Sequence, residues 1–325
     1  MSAAAVRSPA RLRRLTATLA PLAGVTLVLI LAAITTPDFY NADNLRLVLF
    51  QAGLIGITAL GQTLVLLVAG IDLSIGAVIG LTTVIVASHS DGQNGALAVA
   101  ILLAALAGLA VGVVNAALVL LRGVPPFVAT FATFVLVQGA ITAATRGAPS
   151  GDIPSALTPL GADRIAGIPV PTWLFAALAV ATALVLAGTT IGRRLYATGF
   201  NRRASALSGI RTHWFIAGAY VASALLAVLA GLVDAGYVGH VDAQLSRSLN
   251  LDSVAAAVIG GIALTGGEGT VGQTVGGVAL LAVLLVWMVQ LGGGVGAQLA
   301  VEGAVILLAV WLQQRGALGS RSEGG

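Results

Sequence analysis

The stretch Gly61-Gln62-Thr63-Leu64-Val65-Leu66-Leu67-Val68-Ala69-Gly70-Ile71-Asp72-Leu73-Ser74-Ile75-Gly76-Ala77-Val78-Ile79-Gly80 decides how the rest of the chain is read, because an acid and a hydroxyl interrupt an otherwise apolar run. Asp72 and Ser74 lie between Gly70 and Gly76, so the pattern predicts a helix that breaks at membrane depth. A carboxylate at the bilayer centre costs about 2.5 to 3.5 kcal/mol on insertion scales, which makes an intramembrane acid a candidate functional group. A second reading has Asp72 capping a helix at the membrane edge, accepting from the amide of Ser74 or Ile75. Both readings are open on this stretch.

The composition requires a membrane around it. Of 325 residues, 58% are hydrophobic and 9% charged, and the mean hydropathy is +1.01. Hydrocarbon holds no water for free amides, so helices or closed barrels are the possible spans, and apolar runs of about 20 residues select helices. The 42 glycines fit close helix packing. The net charge of +4 rests on arginine, since the chain has no lysine. Without lysine there is no Walker A loop, so any ATP-driven role must draw on another polypeptide. Without cysteine, thiolate chemistry and disulfides are excluded. His89, His213 and His240 are scattered without metal-ligand spacing and read as loop or interface residues.

Ten spans are expected, over residues 17–35, 44–68, 73–88, 95–121, 127–145, 173–190, 213–234, 251–264, 270–290 and 295–312. The first is longer than a signal-peptide core and reads as an uncleaved span. Together they form one membrane domain, residues 17–312, between polar tails at 1–16 and 313–325. Polar connections are expected over 146–171, 192–212 and 235–250. With ten spans both termini share a side, and twelve arginines fall on that side against four opposite (46, 146, 164 and 247). The positive-inside rule then places both termini and the 192–212 segment in the cytoplasm.

A shift of 196 positions lays Asp72-Leu73-Ser74-Ile75-Gly76 over Glu268-Gly269-Thr270-Val271-Gly272, and Gly70 over Gly266. Paired helix breaks in two halves of a membrane protein point to a substrate route. Under this threading the copies run in the same direction. Asp72 and Glu268 are expected chiefly to bond amides at helix starts, where the dipole favours an anion, with direct substrate contact the bolder alternative. Between the halves, Asn201 can cap a helix over Ala204 to Leu207 that Gly209 would end. Such a short basic helix suits docking on a soluble partner.

Gly61-Gln62-Thr63, Gly70-Ile71-Asp72-Leu73-Ser74-Ile75-Gly76, Gly192-Arg193 with Tyr196-Ala197-Thr198-Gly199-Phe200-Asn201, Ser208-Gly209-Ile210 and Gly266-Gly267-Glu268-Gly269-Thr270 resemble the permease of ribose-type ATP-binding cassette importers, in order and at that family's spacing. The resemblance implies a paired permease core, identical or homologous, with cytoplasmic ATPase subunits that hold ATP and magnesium. It also implies an external sugar-binding protein. Arg193, Tyr196, Gly199, Asn201, Arg202, Arg203, Ala204, Ser208 and Gly209 would then form the ATPase-coupling region. Ser205 and Ala206 depart from the family's common residues there, which puts one ATPase contact in question. On the same model Gln62, Asp72, Ser74, Asn115, Glu268 and Thr270 line the substrate path. No catalytic, metal or cofactor residue is expected in this chain. The alternatives are an ion-coupled transporter using Asp72 and Glu268, or a family member carrying branched-chain amino acids, nucleosides or a signalling sugar.

Overall fold

A computed structural model describes residues 9–241 and 245–319. The chain is an all-α polytopic membrane protein with thirteen helices among the described residues: α1 (Pro9–Thr35), α2 (Ala42–Leu67), α3 (Ile75–Ser90), α4 (Leu97–Leu121), α5 (Pro126–Thr145), α6 (Thr158–Gly161), α7 (Val170–Gly188), α8 (Thr190–Phe200), α9 (Arg202–Leu207), α10 (Thr212–Val238), α11 (Leu245–Gly260), α12 (Val271–Gln290) and α13 (Val295–Gly319). Ten of these, all but α6, α8 and α9, match the ten expected spans in order. Six contain windows long and apolar enough to cross a membrane, namely α2, α4, α5, α7, α10 and α12.

Burial divides the spans into a centre and a rim. The apolar window of α2 is 72% buried and those of α10 and α12 are 61%, whereas those of α5 and α7 are 22% buried. α10 packs on α2, α3 and α4, and α2 also packs on α7, α11 and α12. The rim helices present Leu106, Val113, Phe131, Leu136 and Leu184 outward. In water such faces would be a liability, but lipid solvates them.

Close approach at the centre depends on small residues. On α4, a Cβ at Gly112 would stand 2.9 Å from the Val221 Cα of α10. On α12, a Cβ at Gly277 would collide with the Ala256 carbonyl of α11 and lie 2.6 Å from the Gly260 amide.

Several boundaries differ from the sequence expectation, each for a local reason. α11 starts at Leu245 and stops at Gly260, not 251–264, because Asn250, Asp252 and Ser253 turn inward to protein and hydropathy does not register such polar residues as helix. Residues 146–171 are not a plain loop: they hold α6 and a two-residue hairpin, β1 (Arg164–Ile165) with β2 (Ile168–Pro169). In that segment Gly161 lies so close to Val233 and Tyr237 of α10 that a Cβ there has no room. Residues 9–16 and 313–319, expected as tails, continue α1 and α13 as helix. The remaining tail residues, 1–8 and 320–325, lie outside the described residues.

Two substitutions test this packing. Gly277→Leu forces α11 and α12 apart and is expected to cost at least about 1–3 kcal/mol, read as a lower unfolding temperature in detergent. Gly139→Ala, where no atom lies within 4 Å, is expected to change stability by less than about 1 kcal/mol.

Candidate functional site

The site is built from two interruptions of helix that meet. At the first, α2 closes with the Ala69 amide donating to the Leu66 carbonyl (2.8 Å) and Gly70 to Val65 (2.9 Å). This is the Schellman pattern, which calls for a left-handed residue. Ala69 adopts it, at φ +60°, where glycine is the usual choice. The next position has no such freedom to be anything larger, because a Cβ at Gly70 would lie 2.7 Å from the Tyr220 hydroxyl. Residues 70–74 then run without helix or strand before α3 begins.

These residues return into the protein. Asp72 and Ser74 are fully buried. One carboxylate oxygen of Asp72 accepts from the Ser74 amide (2.9 Å) and hydroxyl (2.6 Å), and the other accepts from the Ser223 hydroxyl of α10 (2.8 Å). Ser74 in turn accepts from the Asn115 side-chain amide of α4 (2.8 Å). Ser223 stands eleven residues into α10, so Asp72 sits about 17 Å from that helix's start at 1.5 Å per residue. The Thr130 hydroxyl of α5 donates to the Ile71 carbonyl (3.2 Å), and the Asn250 side chain of α11 accepts from the Gly76 amide (3.3 Å). Side chains from α4, α5, α10 and α11 therefore hold the seven-residue break.

The second break follows α11. The Gly261 amide donates to Val258 (2.9 Å) and Ile262 to Ala257 (3.1 Å), the same closing pattern, here with glycine at φ +101°. This break is ten residues long, from 261 to 270, and three more glycines, Gly266, Gly267 and Gly269, have positive φ. The 196-residue register holds at the exits, where α3 starts at Ile75 and α12 at Val271. The three extra residues lie between. The two breaks touch: the Gly267 amide donates to the Leu67 carbonyl (3.0 Å), and Gly266 packs on Ala69. α2 and α11 thus arrive at one end of the molecule and α3 and α12 leave from it, so the copies run in the same direction, as the sequence threading had them.

The chemistry of the copies is unequal. Glu268 is exposed, and the side chain that caps α12 is that of Thr270, accepting from the Gln273 amide (3.3 Å). Of the six expected path residues, Asp72, Ser74 and Asn115 form one network and Glu268 and Thr270 lie apart at the second break. Gln62 is fully buried on α2 with neither amide atom bonded. Sequence reading missed Ser223, Tyr220 and Asn250, which sit in helices remote in sequence and whose only signal was polarity within an apolar span. Tyr220 is fully buried and its hydroxyl has no partner. It lines a cavity of about 320 Å³ with Gly70, Pro125, Gly199 and Arg202.

That cavity borders the expected coupling region, which has more structure than a loop with one short helix. α8 is capped by the Thr189 hydroxyl and α9 by the Asn201 side chain, which accepts from the Ala204 amide (2.9 Å). The Ser205 hydroxyl, a departure noted above, faces inward and donates to the Ala197 carbonyl (2.7 Å), fastening α9 to α8. Gly209, at φ +82°, closes α9. Arg193, Asn201, Arg202, Arg203, Ala204, Ser208 and Gly209 are exposed, beside Phe200 at 75% and Leu207 at 84% exposure. From the inner face, the Tyr196 hydroxyl donates to the Gly269 carbonyl (2.8 Å). Burial raises the Tyr196 phenol above the ordinary tyrosine value, so it remains a donor at neutral pH. Gly199 packs where the breaks touch, with no room for a Cβ against the Leu67 carbonyl and the Gly267 amide.

Residues 44–310 match the family described as branched-chain amino acid transport system / permease component. The ribose import permease protein RbsC of Escherichia coli K12 is 33% identical over 297 residues, covering 90% of this chain and 92% of that protein. The Bacillus subtilis ribose import permease is 33% identical over 300 residues, covering 91% and 92%. The autoinducer 2 import system permease protein LsrC of Photorhabdus luminescens is 36% identical over 242 residues, covering 74% and 72%. No solved structure matches.

Asp72 is the acceptor for three donors at a buried break. Asp72→Ala is expected to cost about 2–4 kcal/mol by stranding Ser74 and Ser223, and Asp72→Asn clearly less. Thermal unfolding of the purified variants measures both, and equal losses would contradict this role.

Proposed function

The chain belongs to the branched-chain amino acid transport system / permease component family, and from that premise we propose that it is the membrane subunit of an ATP-binding cassette importer for a monosaccharide of the ribose kind. A separate cytoplasmic ATPase supplies ATP and magnesium, an extracytoplasmic binding protein delivers the sugar, and a second permease copy, identical or closely related, completes the pore. The relatives named for ribose and autoinducer 2 support a hydroxylated cargo. The arginine bias supports cytoplasmic termini, which puts the breaks and the α8–α9 step at the cytoplasmic end.

One observation carries the mechanism: α8 and α9 present a basic and apolar surface on one side, and on the other α8 touches the second break and the end of α2 that opens the first. Closure of the ATPase pair pushes on Arg202, Arg203, Phe200 and Leu207. Tyr196 and Gly199 pass that displacement to Gly269, Gly267 and Leu67, so both breaks move together. The permease then exchanges inward for outward access, and each ligand shifts that equilibrium only by its differential affinity for the two states. Asp72, Ser74 and Asn115 hold the first break while it moves, and Gln62 and Thr270 complete the proposed polar route with Glu268 at its rim. The cavity beside Tyr220 is the route's cytoplasmic mouth.

Reconstitution of this chain with its ATPase and binding protein in liposomes is expected to give ATP-dependent uptake of a pentose or hexose that protonophores leave unchanged. Gradient-driven uptake by this chain without the ATPase would overturn the reading in favour of ion coupling through its acids. In the same assay Tyr196→Phe, which deletes one hydrogen bond, is expected to slow uptake about two- to tenfold. Its ATP hydrolysis should fall less than its uptake. Equal falls in both would mean that Tyr196 affects docking and not transmission.

A further inference from the structure

The end of the molecule opposite the breaks holds acids that sequence reading did not single out. Asp252 of α11 and Glu302 of α13 are 5% and 3% exposed. Both face the same cavity, so two carboxyls are held together away from water. The Glu302 Oε1 atom is buried and has no partner. Both line a cavity of about 180 Å³ together with Asp234, Gln51 and Gln298. An apolar wall completes it, and Phe50 stacks on Tyr237 at its edge, ring centroids 3.8 Å apart.

The position is informative. The cavity lies among the N-terminal halves of α2, α11 and α13 and the last turns of α10 and α12. Phe50 is seventeen residues before the end of α2, about 26 Å along that helix from the first break. In the topology proposed above, this is the external end, where cargo arrives.

We infer that this cavity is an entry site for the neutral polyhydroxylated cargo, with Glu302 and Asp252 as its hydrogen-bonding floor; the inference rests on the transport reading above. The two carboxyls offer acceptor positions to hydroxyl groups, and Gln51 and Gln298 offer both donors and acceptors. The Phe50–Tyr237 pair supplies the flat apolar surface against which a sugar's C–H face packs. A multivalent metal fits less well, since no three metal-ligating side chains converge among the described residues. The lone Glu302 oxygen is the atom that a cargo hydroxyl satisfies.

The absence of cysteine makes the test direct. Leu299→Cys places one thiol at the lining, and its rate of modification by a methanethiosulfonate reagent is followed in the assembled importer in nanodiscs. The probe is whichever pentose or hexose the wild-type importer accumulates, with sodium chloride and a pH step as separate arms. The sugar is expected to slow labelling about threefold at twice its dissociation constant, and to leave a thiol at Val135 on the rim helix α5 unaffected. Glu302→Gln is expected to keep this protection, and Glu302→Leu to lose it with a rise in uptake KM of about tenfold. The protection arm uses an intact Glu302, so it reads out even if Glu302→Leu fails to assemble. Unchanged labelling in an importer that does accumulate the sugar overturns the entry site and leaves the transport reading standing. Slowing by sodium or pH in place of the sugar overturns it in favour of a cation site. No ATP-driven accumulation of any sugar removes the transport reading, and the inference with it.

Discussion

A backbone amide or carbonyl released from a helix inside a membrane has no water to turn to, and the interior of this protein is arranged to meet that demand twice. At the first break Asp72 takes the Ser74 amide and hydroxyl and the Ser223 hydroxyl. At the junction of the two breaks, the Leu67 carbonyl left at the end of α2 takes the Gly267 amide. Each break thus supplies what the other lacks. A carboxylate, which is the costliest ordinary group to bury, is held here as the acceptor that ties the first break to α10 directly and to α4 through Ser74.

The same contacts explain why the α8–α9 step is where it is. Gly199 and Tyr196 do not merely support α9; they occupy the seam between the breaks, one by backbone proximity and one by a directed hydrogen bond. A side chain at position 199 would separate Leu67 from Gly267. Ser205 shows the same economy from the outer side, since its hydroxyl closes α9 onto α8 while the arginines beside it are left to solvent.

Much of this is legible in the sequence. Ten apolar runs, the arginine bias, the acid at 72, the Asn201 cap and the recurrence of Gly70 as Gly266 all express local rules: hydropathy, capping and backbone freedom. What was not legible depends on which way a side chain turns. Glu268 aligns with Asp72 in sequence but is exposed, because three additional residues between α11 and α12 change the path of that segment. Ser223, Asn250, Asp252 and Glu302 read as stray polar residues in apolar spans; their meaning lies in neighbours from distant helices. Ala69 is a subtler case, since alanine carries no mark of the left-handed conformation that its neighbours impose.

The unequal breaks, seven residues against ten, also bear on how such a protein can change over time. Two copies of an ancestral unit that still matched could exchange segments freely, each serving in the other's place. Here the acid is interior in one copy and exterior in the other, and a seven-residue path cannot span what ten residues span without moving Gly267 away from Leu67. The halves of this chain are therefore not interchangeable, one being bound to the carboxylate network and the other to the hydroxyl of Tyr196.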